Sequence, residues 1–181
     1  GAAARGWPTL VLGGGSNVLV ADAGFAGLVL TLEGDARAVV GTQGDRVLLR
    51  VEAGHDWDAL VAWTVERGWA GIECLSGIPG RVGAAPIQNI GAYGQELAET
   101  LLAVEAVDRR RGAVVRLDAG ECGLGYRRSR FKHGEPERFV VTAVILALRP
   151  ELALAPVRAS RFFMLKALER DAPLIPRPFS L

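Results

Sequence analysis

An aperiodic run of glycines constrains this chain more than any other feature. From Gly71 to Glu96 the sequence reads GIECLSGIPGRVGAAPIQNIGAYGQE. Gly77, Gly80, Gly83, Gly91 and Gly94 recur among small or apolar residues, and carboxylates stand only near the edges, at Glu73 and Glu96. Neither a 3.6-residue stripe nor a period of two runs through it, so it is not an amphipathic helix or an ordinary strand. Glycines so spaced allow backbone N–H groups to approach a ligand with no Cβ in the way. Gln88 and Asn89 add amide donors and acceptors, and Tyr93 adds a ring with a polar tip. A compact domain seldom keeps so long an apolar loop without purpose. A bound cofactor supplies one purpose; an irregular buried loop without a ligand is the competing reading.

The remaining chain narrows the class. Its 181 residues allow one ordinary domain, or one domain and part of another. A net charge of +1 argues against nucleic acid as a partner, since counterion release needs a dense basic face. Arg109, Arg110 and Arg111 are followed by Gly112, which suits a hairpin tip better than a phosphate track. Cys74 and Cys122 cannot build a disulfide framework or a zinc site, which fits a reducing cytoplasm. No signal peptide or 18-residue apolar span is evident, so no membrane partner is expected. Beginning at GAAARGWPTL without Met, the sequence reads as a fragment or a processed product.

Taken in order, Thr9 to Leu12 reads as a buried strand. It is followed by Gly13-Gly14-Gly15-Ser16-Asn17 and a second apolar run, Val18 to Ala21, expected as another strand. The dinucleotide fingerprint G-x-G-x-x-G fails here because Val18 occupies its third glycine position, and no G-K-[S/T] exists for a P-loop. What remains is clustered N–H groups and the Ser16 hydroxyl, able to form an anion nest or merely a tight turn. Gly27 to Leu32 makes a further strand. Ala36 to Val40 and Arg46 to Val51 pair around a Gly41 to Asp45 turn.

Asp56 is placed to cap a helix with its apolar face at Trp57, Leu60, Val61, Thr64 and Val65, ended by Gly68. Trp57 and Trp63 are expected to pack rather than to touch a ligand. Leu101 to Val107 and Ala113 to Leu117 form a hairpin around the arginine turn. Asp118 and Glu121 give a D-x-x-E helix start. The cationic run Gly125 to Lys132 precedes Phe139 to Leu148, whose almost wholly apolar sequence indicates a strand buried on both faces. Such a loop is a solvated face, or it presents one arginine in a cleft, where a guanidinium fork suits carboxylate or phosphate. Beyond Glu151 four prolines and no strand pattern suggest a divergent tail, with a short helix around Phe162, Phe163, Leu165 and Leu168.

Three blocks together resemble one family: LGGGSNVLV at Leu12 to Val20, SGIPGRVGAAPIQNIGAYGQEL at Ser76 to Leu97, and ECGLGYRRSRFK at Glu121 to Lys132. It is the UDP-N-acetylenolpyruvoylglucosamine reductase (MurB) family of bacterial peptidoglycan precursor synthesis. The resemblance covers roughly Pro8 to Arg149. It implies an α+β FAD-binding fold of the vanillyl-alcohol-oxidase (PCMH) type in two subdomains, the first within residues 1–34, the second over 35–150, with 151–181 outside both. It implies FAD as cofactor with NADPH as reductant, and the small molecule UDP-N-acetylglucosamine enolpyruvate as substrate. By matching motif, Gly13, Gly14, Gly15, Ser16 and Asn17 would bind the FAD pyrophosphate. Ile87, Ile90, Gly91, Ala92 and Tyr93 would lie along the flavin and ribityl chain, and Val141 would add a backbone contact. Tyr126 and Arg127 would face the substrate, with Arg127 as the catalytic cation.

The sequence also departs from that family. Its proton-donor motif N-A-G-S-F-F-K-N-P and its carboxylate motif E-P-E-V-R do not occur, and Ser160-Arg161-Phe162-Phe163 only echoes the first. The resemblance thus implies a chain shortened at both ends and lacking the substrate domain. Three readings follow: an NADPH-linked reductase, a module that holds flavin without turnover, or a non-functional fragment whose tail after Arg149 is foreign sequence. Nothing in the sequence indicates an oligomeric state.

Overall fold

A computed structural model describes residues 5–150. Its elements follow from local sequence in most places. Strand β1 (Thr9–Leu12) and strand β2 (Leu28–Thr31) pair in parallel as a small separate sheet. Strands β3 (Arg37–Gln43) and β4 (Arg46–Glu52) form a hairpin, and helix α1 (Trp57–Glu66) follows. Short helix α2 (Ala85–Gln88) leads into the two-residue strands β5 (Gly91–Ala92) and β6 (Gln95–Glu96). Strands β7 (Leu101–Asp108), β8 (Ala113–Asp118) and β9 (Phe139–Leu148) complete a five-stranded antiparallel sheet ordered β3-β4-β9-β7-β8.

The period-two residues of β4 decide which face carries the core. Leu49 and Val51 are buried, whereas Arg50 and Glu52 point the other way. Arg50 reaches over β9 to Glu105 on β7, its Nη2 donating to Oε2 at 2.8 Å. That bond, opposed by burial, raises the Arg50 pKa. Helix α1 begins where the Asp56 carboxylate accepts from the Ala59 amide at 2.9 Å, a side-chain N-cap. Gly68 ends it with φ +69, a conformation that costs glycine little. All five expected face residues are buried, and Trp57, Leu60, Val61 and Val65 join Leu49, Val51, Leu146 and Leu148 in the core. Both tryptophans pack: Trp57 Nε1 donates to Leu75 O at 3.0 Å, and Trp63 meets Trp69 edge-on at 5.3 Å, although Trp57 also lines the cavity described below. Strand β9 is central in the sheet and wholly buried from Ala143 to Leu148, which explains its unbroken apolar sequence.

Some expectations are corrected. Val18 to Ala21 forms no strand, and Leu19 is 99% exposed. The place beside β1 goes to β2, reached by the long Gly13–Gly27 connection that a parallel pairing needs. Strand β1 is half-buried rather than buried, because its two-stranded sheet has few neighbours. Strand β3 runs on to Gln43, with a register shift between Val39 and Gly41, so the turn is tighter than Gly41 to Asp45. The tail helix expected around Phe162 lies outside the described residues. No helix among the described residues is long and apolar enough to cross a membrane. Neither Cys74 nor Cys122 is in a disulfide, and burial pushes the Cys122 thiol up to about 11, away from reactive thiolate.

The arginine turn after β7 is closed by a buried carboxylate. Asp108 is 1% exposed and accepts from Arg138 Nη2 at 2.6 Å, Arg138 Nε at 3.1 Å and the Arg110 amide at 2.9 Å. The Arg138 fork holds the Asp108 carboxyl down at about 2, with burial opposing and the turn amides assisting. An unfolded aspartate titrates near 3.9. The folded value is the lower one, so the stabilisation is complete above about pH 5 and is lost as pH falls through 4 toward 2. We expect the denaturation midpoint to fall over that acid range, and Asp108→Asn to flatten that limb of the profile. An unaltered acid limb in the variant would refute the assignment.

Candidate functional site

The three sequence blocks, far apart along the chain, meet around one cavity of about 890 Å³. That volume lies within the range of about 300–1,000 Å³ common for small-molecule sites. Gly13 to Asn17 forms one rim, Gly80 and Arg81 the adjacent wall, and Ile87 to Tyr93 the floor. Tyr126 and Arg127 line the cavity as well. Each expected contact except Val141 lines this space. Val141 is buried on β9 and lines a neighbouring cavity of about 240 Å³ that shares Val11, Gly13, Arg81, Ala84 and Ile87 with the first.

Close backbone approach explains the glycines. A Cβ at Gly14 would stand 3.1 Å from the Gly80 Cα, and one at Gly13 would stand 3.3 Å from the Ala84 Cβ. Ser16 Oγ donates to Pro79 O at 3.1 Å, locking the two loops together. Gly15 has φ +75, open to glycine at no steric cost. Among the described residues, none accepts a hydrogen bond from the amides of Gly14, Gly15 or Ser16. These donors on the cavity lining suit an anionic group. Arg81 stands on the same wall and anchors there through Nη1 to Gly54 O at 3.0 Å.

The floor is a short helix running into a tight hairpin. Tyr93 and Gly94 link β5 to β6 with φ +52 and +80, the both-positive turn that suits a twisted hairpin. This leaves Ile87, Ile90 and Ala92 partly buried against the core while facing the cavity. An apolar floor and a donor-rich rim beside Arg81 fit two parts of a flavin dinucleotide, its flat flavin ring and its pyrophosphate.

Asn89 departs from expectation. Rather than offering its amide to a ligand, it is 2% exposed and turned inward. Its Nδ2 donates to Glu96 Oε2 at 2.8 Å and to Gly125 O at 3.0 Å, while its Oδ1 accepts from the Ala98 amide at 2.9 Å. The arginine run also resolves. Tyr126 and Arg127 form the apex of a four-residue turn closed by Gly125 and Arg128, whose amides and carbonyls exchange bonds of 3.0 and 2.9 Å. Arg127 has φ +50, unusual for a non-glycine residue. Tyr126 is 81% exposed, so its ring is available to a molecule in the cavity mouth.

Reading the sequence missed Arg81, Glu96 and Glu99 as cavity-lining groups. Arg81 could have been found, as the one cation inside the glycine-rich stretch. The carboxylates could not: Glu96 is drawn in by Asn89, and Glu99 Oε1 accepts from the Glu96 amide at 2.8 Å.

Comparison with known proteins agrees with this geometry. A family model described as "FAD binding domain" matches residues 2–118. UDP-N-acetylenolpyruvoylglucosamine reductase of Salinispora arenicola is 51% identical over 154 residues, covering 85% of this chain and 42% of that protein. The reductase of the same name from Pseudomonas aeruginosa is 47% identical over 158 residues, covering 85% and 46%. This chain therefore spans less than half the length of those relatives. The crystal structure of the Thermus caldophilus reductase superposes with a TM-score of 0.70 at 32% identity, covering 91% of this chain and 56% of that one. A solvent-stable cholesterol oxidase superposes at 0.58 with 17% identity, over 82% and 31%, a likeness of fold alone.

Proposed function

Because the chain belongs to the FAD binding domain family, we propose that it is the flavin-holding part of a UDP-N-acetylenolpyruvoylglucosamine reductase. The whole enzyme would reduce UDP-N-acetylglucosamine enolpyruvate to UDP-N-acetylmuramate with NADPH, in the cytoplasm, for peptidoglycan synthesis. The observation that carries this reading is the convergence of three separated blocks on one cavity. The relatives named above support the choice of reaction. We read residues 1–34 as part of one flavin-binding subdomain and 35–150 as another, since β1 and β2 pair with each other and not with the five-stranded sheet.

In this reading the Gly13 to Asn17 amides hold the pyrophosphate, with Arg81 balancing its charge. Ile87, Ile90, Gly91, Ala92 and Tyr93 receive the ring and ribityl chain, and Val141 contributes from the adjoining cavity. Bound there, FAD supplies hydride chemistry that no amino-acid side chain can. The residues' own task is electrostatic. Negative charge grows toward the substrate carboxylate as the enolpyruvyl double bond is reduced, and a fixed guanidinium stabilises that state more than the ground state. We assign this work to Arg127, and to Tyr126 beside it a ring face and a hydroxyl for the substrate; that both line the cavity supports the assignment.

Adding FAD, desalting and recording the visible spectrum tests the reading, with NADPH added afterwards. Retained flavin that bleaches is the expected result. Flavin that stays oxidised favours a holding module without turnover, and a folded chain that retains none overturns the proposal. In an active form, Arg127→Lys should lower kcat by on the order of a hundredfold with flavin content unchanged, because an ammonium cannot reproduce the fork. Flavin loss in that variant would contradict the role.

A further inference from the structure

Arg127 adopts a left-handed backbone that an arginine does not choose by itself, so its surroundings must impose it. Two buried side chains supply the constraint, one at each end of the turn. At the leading end, Gly125 O accepts both the Arg128 amide at 2.9 Å and Asn89 Nδ2 at 3.0 Å. At the trailing end Ser129, 1% exposed, donates from Oγ to Ile87 O at 2.5 Å and accepts from the Lys132 amide at 3.2 Å. Both tethers end on the same short segment, Ile87 to Asn89, which opens the cavity floor. Asn89 itself is left-handed at φ +46 and also grips Glu96 and Ala98.

We propose that Asn89 and Ser129 are positioning residues that join the 87–93 floor and the Tyr126–Arg127 turn into one body, so that a flavin seated on the floor sets where Tyr126 and Arg127 stand. The proposal rests on the functional reading above only in naming the ligand. Ser129 does not line the cavity, and Asn89, which does, has its amide turned to Glu96, Gly125 and Ala98. They act through the turn they hold, Asn89 by its bond to Gly125 O and Ser129 by its bond to Ile87 O. Cofactor loading and substrate-side geometry are thereby coupled with no separate hinge or lid.

Trypsin reads this coupling directly, since Arg127 and Arg128 are its sites. The full chain is digested under native conditions with and without FAD. Cleavage after Arg127 and Arg128 is measured as a ratio to cleavage after Arg110 and Arg111, exposed in the β7–β8 turn. Loss of one buried tether should raise the ratio in Ser129→Ala about tenfold. Ser129→Thr keeps the hydroxyl and should stay within about twofold of the parent. FAD should lower the ratio in the parent and in Ser129→Thr. In Ser129→Ala it should not, although FAD binding there remains within about threefold of the parent.

A general loosening would raise both sites together and leave the ratio unchanged, which overturns the proposal. Full FAD protection of the turn in Ser129→Ala overturns it as well. A parent chain that takes up no FAD defeats the functional reading instead, while the ratio without FAD still decides the tethering. Should Ser129→Ala fail to fold, Asn89→Gly removes the other tether and keeps the left-handed backbone. An unchanged ratio in that variant counts against the proposal equally.

Discussion

Replacing Gly14 with valine is expected to abolish flavin retention while leaving the chain folded. A Cβ at this position stands 3.1 Å from Gly80 Cα and 3.6 Å from Gly80 C, so the atoms it meets are backbone and cannot swing aside. The valine methyls extend further still. The two loops must therefore part, breaking the Ser16–Pro79 bond and moving the amides of the rim. Those amides are proposed to hold a pyrophosphate, and misplacing two or three charge-assisted donors costs about 3 kcal/mol or more. That corresponds to a rise in Kd of about a hundredfold or greater. Gly14 lies on an exposed rim outside the core cluster, so the melting temperature should change little. Titration of flavin fluorescence beside thermal melting separates the two effects. Wild-type affinity in Gly14→Val would show that the rim is not the anion site. Gly91 is a poorer probe than its place in the motif suggests. Its Cβ would meet Glu96 Cγ at 3.1 Å and Gln95 O at 3.2 Å, so valine there disturbs the β5–β6 hairpin whether or not a ligand is near.

The second large effect concerns stability. Gly54→Ala is expected to destabilise the fold by about 3 kcal/mol, although alanine is the smallest possible addition. The added Cβ would lie 2.2 Å from Leu32 O, 2.7 Å from Gly34 O and 2.8 Å from Glu33 C. All three are backbone atoms of the segment that joins the β1–β2 sheet to the rest. Gly54 also donates its amide to Gly34 O at 2.9 Å and accepts Arg81 at its carbonyl, so relief by sliding would break bonds on both sides. Urea denaturation measures the loss. A variant within about 0.5 kcal/mol of the parent, the range of ordinary surface changes, would mean that this crossing is not as close as described. Because Arg81 leans on the same residue, the variant should also weaken flavin binding, with less effect than Gly14→Val.

Some elements could be read directly from the chain because their causes are local. Helix α1 declares its start at Asp56, its buried stripe and its glycine stop within a dozen residues or so. The β7–β8 hairpin and its arginine tip, the Asp118–Glu121 capping box and the apolar β9 are equally self-contained. Other features depend on what lies across the fold. Val18 to Ala21 has strand-like composition, yet the strand that pairs with β1 is β2, from beyond the Gly13–Gly27 connection. Asn89 carries the same amide whether it faces a ligand or a neighbour. Only the nearness of Gly125, Ala98 and Glu96 turns it inward.

The sequence by itself determined the family, the glycine rim, the apolar floor and the residues that cap and punctuate each element. These rest on residue chemistry and on spacings of a few positions, which any conformation of the chain preserves. The tertiary structure alone decided that Gly14 must face Gly80, that Gly54 must pass beneath Leu32, and that Asn89 and Ser129 would become tethers. Such roles belong to distances between segments far apart in the chain, and those distances exist only once the five-stranded sheet and the β1–β2 sheet have brought their loops together.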